Sequence, residues 1–408
     1  MLTATAHDSS PPVIGRRGER PRVLIVSDTP FSEYHGGGVT LTTLFDGWPV
    51  DRLAMFCSAW SPTRTMRPQD ERCAHVRSFR VPGPGGRLDW VKHRLGLAPN
   101  WGLNVSPEWH RRWCRKWRPD VVYSMFLDLN TFGYADWIAD FLDVPHVCHI
   151  IDDITPGIAA FGLDRLRRRM AAAARRIAIS EEMRLEYQAV IGGEFLVFHN
   201  GASAVRPVEP APRPDGELLI RYLGSVGIIQ HSALIEVAEA VYRARAEGIR
   251  CRLEIVGSFW DESLDASSVD GVAVRRVGPY VSRDEWNRLL HSSDLLIIPV
   301  AFSAHGETKV SLSLPTKLLE YLSTGTPTLV YGPAESGPSR FCRRHHLASV
   351  VDEQNVDAVV RFFREFANEV TRFREQGARD QVTVQRDFGN SAIAARFQQA
   401  ILDVADHG

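Results

Sequence analysis

From residue 22 to residue 198 the chain alternates short apolar runs with longer amphipathic ones, and from residue 218 it does so again. Short, bounded apolar runs are the signature of strands buried on both faces, and alternation with helical patterns makes them parallel. The predicted strands of the first half fall at 22–27, 52–57, 76–81, 120–124, 146–151, 176–179 and 195–198, with helices at 38–46, 107–117, 130–142, 161–174 and 181–191. A proline-rich stretch without periodicity, 202–217, reads as a linker. The second series has strands near 218–223, 252–257, 272–277, 294–298, 327–331 and 348–351, and helices near 232–246, 283–291, 315–323 and 336–345. Two long helical patterns, 354–377 and 389–405, close the chain. The expected fold class is therefore α/β: two doubly wound, Rossmann-like domains with a cleft at the carboxyl ends of their strands. The expected division is a disordered tail (1–20), a first domain (21–203), a linker (204–217), a second domain (218–385) and a C-terminal helix (386–408) packing back on the first.

Charge and composition narrow the function classes. A formal net charge of −1 gives no global pull toward nucleic acid. No apolar run approaches the roughly eighteen residues of a bilayer span, and the N-terminal residues lack the apolar core of a signal peptide. The six cysteines are scattered without zinc-like spacing, which fits buried, reduced thiols in a cytoplasmic protein. Only four lysines (Lys92, Lys116, Lys309, Lys317) stand among the 48 basic residues, so each draws attention.

Gly36, Gly37 and Gly38 follow the first predicted strand directly. They match neither the dinucleotide fingerprint G-x-G-x-x-G nor the P-loop, since no third glycine and no lysine stand where those need them. What remains is a glycine loop before a helix beginning near Val39 or Thr40. It either turns backbone N–H groups toward an anion or is an ordinary βα connection.

The segment SLSLPTKLLEYLSTGTPTLVYG (311–332) places Pro315 at the start of a helix whose apolar face is Leu318, Leu319 and Leu322. Lys317 and Glu320 share a face at i, i+3. A cation at a helix start opposes the macrodipole, which makes sense if Lys317 faces an external anion.

At this point the chain resembles a nucleotide-sugar glycosyltransferase of the two-Rossmann-domain GT-B type, similar to glycosyltransferase family 4. Four segments carry the resemblance: the GGG loop, RRIAISEEM (175–183), VFHNGA (197–202) and P-x-K-x-x-E-Y-L-x-x-G-x-P (315–327). It implies that Glu320 grips the ribose of the donor nucleotide and that the glycine loop lets acceptor and diphosphate approach the backbone. It implies a retaining reaction with no cofactor and no obligatory metal, the nucleotide-diphosphate sugar being a co-substrate. The departures concern the phosphates. Position 312 is Leu where the family has a second glutamate, and Ser225 and Gln230-His231 stand where it has arginine and lysine. The diphosphate would then be met by Lys317, the helix start after Leu314 with Thr316 and Leu318, and the backbone of Gly224, Ser225 and Gly227. Lys309 and His305 are further options.

Asp152 and Asp153, with His149 on the strand before them, are the catalytic candidates; a metal at the paired aspartates is rejected for want of further ligands. His199 lines the hinge cleft or completes a turn, Ser180 reads as an N-cap, and Glu307 is a weak substitute for the missing glutamate. The basic, Trp-bearing stretch 109–118 and the basic stretch 165–176 either touch the inner face of a membrane or turn their apolar residues to the core. A nucleotide sugar and a glycosyl acceptor are the expected partners. The other readings are a catalytically weakened homologue acting as a partner subunit, and a relative with different sugar-phosphate chemistry.

Overall fold

The computed structural model describes residues 20–33, 36–58, 72–79, 108–203, 216–258, 269–277, 282–302 and 311–407. The predicted tail, most of the linker, Lys92, His305, Glu307 and Lys309 lie outside the described residues. The first domain is a parallel sheet of β1 (Val23–Ser27), β2 (Leu53–Ser58), β3 (His75–Phe79), β4 (Val121–Phe126), β5 (His146–Ile150), β6 (Arg175–Ala178) and β7 (Leu196–Val197). The spatial order is β3-β2-β1-β4-β5-β6-β7. Every residue of β1, β4 and β5 is buried, as strands covered on both faces require.

The crossovers in this domain are α1 (Gly36–Leu44), α2 (Glu108–Trp117), α3 (Leu129–Leu142), α4 (Thr155–Phe161), α5 (Leu163–Ala172) and α6 (Glu181–Ile191). Two local signals set boundaries. Asp128 caps α3 by accepting from the Asn130 and Thr131 amides. The helix predicted over 161–174 is α5, and a further short helix, α4, precedes it, separated by Gly162, which turns out of helical geometry with φ +87. On α2, Trp113 stacks on Trp117 and packs 5.5 Å from Phe56 and 5.4 Å from His75. The described part of the tryptophan stripe thus faces the sheet.

The second domain is a parallel sheet of β8 (Leu218–Leu223), β9 (Cys251–Gly257), β10 (Val272–Arg276), β11 (Leu295–Pro299), β12 (Thr328–Tyr331) and β13 (Ser349–Val351), in the order β10-β9-β8-β11-β12-β13. Its helices are α7 (Ile228–Ala246), α8 (Arg283–His291), α9 (Thr316–Leu322), α10 (Gly337–His345), α11 (Val356–Asn368) and α12 (Val370–Phe388), followed by α13 (Asn390–His407). The pattern over 354–377 is split at Glu369, whose backbone leaves the helix (φ −127, ψ 34). Phe373 then folds back to pack 5.1 Å from Phe366 and 5.4 Å from Phe362.

In both sheets the strand order reverses beside the first strand, between β1 and β4 and between β8 and β11. That reversal opens a crevice at the strands' carboxyl ends. Two chain segments join the domains and touch: the Ala202 amide donates to the Phe388 carbonyl (2.7 Å), and the Asn390 amide to the Ala202 carbonyl (3.0 Å). Gly201 permits this, since a Cβ there would lie 2.4 Å from Asn390 Oδ1. Beyond the crossing, Ile393, Phe397, Ile401 and Val404 of α13 enter the first domain's core. The Gln398 amide closes the end of α1 by donating to the Leu44 and Asp46 carbonyls.

Candidate functional site

A pocket of about 180 Å³ lies between the domains. Gly36 and Val39 of α1 and Asn200-Gly201 at the hinge form its first-domain side. The ends of β8 and β9, together with Arg283 and Trp286 of α8 and Thr316, Lys317 and Glu320 of α9, form the other. The walls meet at Thr316, whose carbonyl accepts from Asn200 Nδ2 (3.1 Å) and whose side chain faces Gly36. Asn200 Oδ1 is buried and has no partner among the described residues.

Lys317 lies on the first turn of α9. Its ammonium donates to the Tyr222 hydroxyl and, at 3.4 Å, toward the Ser225 carbonyl, and it sits 4.5 Å from the centre of the Tyr222 ring. Burial pushes its pKa from 10.5 to about 7, while the Glu320 carboxylate pulls the other way. Gly224 makes the arrangement possible: it holds φ +140, and a Cβ there would lie 2.5 Å from Lys317 Nζ. Gly257 is needed equally, because its Cβ would meet the Gly224 carbonyl oxygen at 1.7 Å. The backbone at the ends of β8 and β9 is thus packed as tightly as glycine allows, beneath the lysine.

Glu320 sits one turn further along α9. Its Oε1 accepts from Arg283 Nη1 (2.6 Å) and from the Trp286 indole N–H (3.0 Å). Arg283 and Trp286 stand three apart on α8 and so share one face. Neither was singled out in the sequence. The i, i+3 spacing at the start of a Ser-capped helix is visible there, but nothing in it says that the face meets α9.

The three glycines divide. They form the first turn of α1 rather than a loop before it, so the helix starts earlier than predicted. Only Gly36 lines the pocket. A Cβ on Gly37 would strike Thr29 Oγ1 (2.6 Å), and one on Gly38 would strike Ser32 Cβ (2.4 Å) and the Pro30 carbonyl (2.6 Å). Those two glycines let α1 close against the segment after β1, and the room they make is filled by the protein itself.

Gly227 and Leu318 also lie outside the pocket lining. The Gly227 amide donates to Gln230 Oε1 in capping α7, and Leu318 is wholly buried in the second domain. His149 is placed in the first domain's core with no exposure, its Nδ1 bonded to the Tyr123 hydroxyl (2.7 Å). Burial pushes its pKa down to about 3, so it stays neutral. Asp153 accepts from the Tyr187 hydroxyl and the Thr155 amide, both at 2.9 Å, and so starts α4. Asp152 accepts from the Asp153 amide (2.8 Å). Neither aspartate lines the pocket.

His199 is buried at the hinge against Phe388 (5.5 Å) and Phe341, with its pKa lowered to about 4 by burial, while its neighbours Asn200 and Gly201 reach the pocket. Ser180 caps α6 through the Met183 amide (3.0 Å) and donates to the Leu312 carbonyl of the second domain (2.5 Å). Among the described residues no three of His, Cys, Asp and Glu group as metal ligands, and no helix is long and apolar enough to cross a membrane.

This pair of Rossmann-like domains facing a cleft is the GT-B fold. No family model matches the sequence, and no curated protein matches it. Solved structures of GT-B glycosyltransferases do match in fold. HepE of Anabaena, solved with UDP-glucose, is 12% identical with a TM-score of 0.62, over 93% of this chain and 99% of that one. The sucrose-phosphate synthase of Thermosynechococcus elongatus is 15% identical with a TM-score of 0.63, over 96% of this chain and 100% of that one. The lipopolysaccharide outer core galactosyltransferase WaaB is 15% identical with a TM-score of 0.57, over 93% and 99%.

Proposed function

We propose that this chain is a glycosyltransferase that moves a sugar from a nucleotide-diphosphate donor to an acceptor, with retention and without an obligatory metal. The observation that carries the reading is the pairing of Lys317 and Glu320 on one face of α9, in a pocket walled by both domains. A carboxylate can accept from two vicinal hydroxyls at once, which suits Glu320 to a ribose. Lys317, protonated, is the cation for the diphosphate, and it gains most when the bond between sugar and phosphate breaks and charge builds on the leaving oxygen. The acceptor enters from the side of Gly36 and Asn200, whose free Oδ1 can take a hydroxyl proton into a hydrogen bond. Donor-bound neighbours support the reading: HepE has been solved with UDP-glucose and with UDP and glucose.

The test is thermal melting with uridine, guanosine, adenosine and thymidine diphosphates and their sugars, followed by a transfer assay with the sugar that binds. A nucleotide at a hundred times its dissociation constant adds about 2.7 kcal/mol to the folded state. One base should raise the melting temperature in the native protein and leave Glu320→Ala unmoved. Absence of any rise would overturn the donor site; binding without transfer to any acceptor would leave a sugar-nucleotide-binding subunit in place of an enzyme.

A further inference from the structure

The Glu320 carboxylate is already half-occupied before any ligand arrives. Arg283 Nη1 and the Trp286 indole N–H both point at the same oxygen, Oε1, at 2.6 and 3.0 Å. A carboxylate oxygen offers two lone pairs, so these two donors saturate Oε1, and Oε2, which accepts from no described residue, is left for a ligand. The Trp286 ring packs against the second domain's core, which directs its N–H, and the Arg283 guanidinium is a planar fork anchored at this end by the ion pair itself. Both come from α8, whose first residue is Arg283 and whose N-cap is Ser282, accepting from the Glu285 amide.

We propose that α8 is a brace for ribose recognition, with Arg283 and Trp286 as positioning residues that hold Glu320 in the one rotamer presenting Oε2 to the donor's ribose hydroxyls. The inference rests on the reading of Glu320 as the ribose-binding carboxylate. The brace removes rotamer freedom from a glutamate that would otherwise lose it on binding. A vicinal diol then meets the Oε2 acceptor in a fixed place. A ligand lacking those hydroxyls leaves the carboxylate with an unfilled oxygen and gains nothing from the brace. Specificity for a ribonucleotide donor therefore resides in three residues from two helices.

The experiment measures dissociation constants for the nucleoside diphosphate that binds and for its 2′,3′-dideoxy counterpart. The proteins are the native chain, Arg283→Met, Arg283→Lys and Trp286→Phe. The native protein is expected to prefer the ribonucleotide at least about tenfold, the loss of one hydrogen bond to a charged group. In Arg283→Met and Trp286→Phe that ratio should fall severalfold, with the dideoxy affinity little changed, and Arg283→Lys should recover part of it. Melting temperatures without ligand separate misfolding from lost recognition, and Trp286→Phe keeps the ring's packing. Native protein that binds no nucleoside diphosphate overturns the donor site and the brace with it. Native protein that prefers the ribonucleotide while both variants keep the same ratio overturns the brace alone and leaves Glu320 as the ribose ligand.

Discussion

Replacing Lys317 by methionine should change the protein's stability in a way that depends on pH, with a sign fixed by the pocket. The ammonium lies against the Tyr222 ring and beneath the packed ends of β8 and β9, and burial lowers its pKa from 10.5 to about 7. Below pH 7 folded and unfolded chains both carry the proton, and the folded state bears the full cost of a buried cation. Between 7 and 10.5 the unfolded chain holds the proton and the folded chain does not, so stability rises with pH. Above 10.5 the cost is gone. Its ceiling is about 5 kcal/mol at roughly 1.4 kcal/mol per pH unit. Because the pocket is open to water, about 1 kcal/mol is the expected change over two pH units. Tyr222 adds no slope here, since burial pushes its own pKa up out of the range. Melting curves from pH 7.5 to 9.5 should therefore show the native protein gaining stability relative to Lys317→Met, by roughly 1 °C in melting temperature for a chain of this length. Lost hydrogen bonds to Tyr222 and Ser225 offset the two curves by a constant and do not affect the slope. A bound diphosphate favours the protonated lysine, so nucleotide affinity should fall as pH rises above about 7, by at most about tenfold per unit. A difference in melting temperature that stays flat with pH would refute the buried-cation argument.

Gly38→Ala should destabilise the fold by about 2 kcal/mol or more, since its Cβ overlaps Ser32 and the Pro30 carbonyl, whereas Gly36→Ala should stay within about 1 kcal/mol and alter ligand affinity instead. Urea melts of both, with binding measured for the second, check the division of the glycine run. His149→Phe strands the buried Tyr123 hydroxyl and should cost about 1–3 kcal/mol while leaving turnover per folded molecule unchanged. A fall in turnover beyond the folded fraction would return His149 to the reaction. Ser180→Ala removes both the cap on α6 and the bond to the Leu312 carbonyl, and should cost about 1–2 kcal/mol in urea melts.

The doubly wound order was legible because its signals are local. Short apolar runs rich in β-branched residues, such as VLIV (23–26), fit a strand buried on both faces, and parallel strands need crossovers. Breaks inside helical patterns were harder to see. Gly162 is visible as a glycine, but nothing local says that it turns at φ +87 with a separate helix, α4, before it. Glu369 gives no sequence signal at all, and the split there follows from Phe373 reaching Phe362 and Phe366.

The site divides along the same line. Lys317, Gly224 and Gly36 sit where a helix starts or a strand ends, Glu320 shares the face of Lys317 one turn on, and all four line the pocket at the crevice. Asp153 and His149 had the right residue types near the right strand end, yet neither lines the pocket; Asp153 Oδ1 accepts from Tyr187 and Thr155, and His149 Nδ1 is bonded to Tyr123, partners 2–34 positions away. A residue's type shows what chemistry it can do, but only the packing shows whether that capacity is already used. Glu320 is the informative case: among the described residues Oε1 accepts both bonds from α8 and Oε2 accepts none, a division invisible until α8 and α9 are side by side. That asymmetry alone does not mark a recognition residue, since Asp153 also takes both of its bonds on one oxygen, Oδ1; what sets Glu320 apart is that it lines the pocket between the domains.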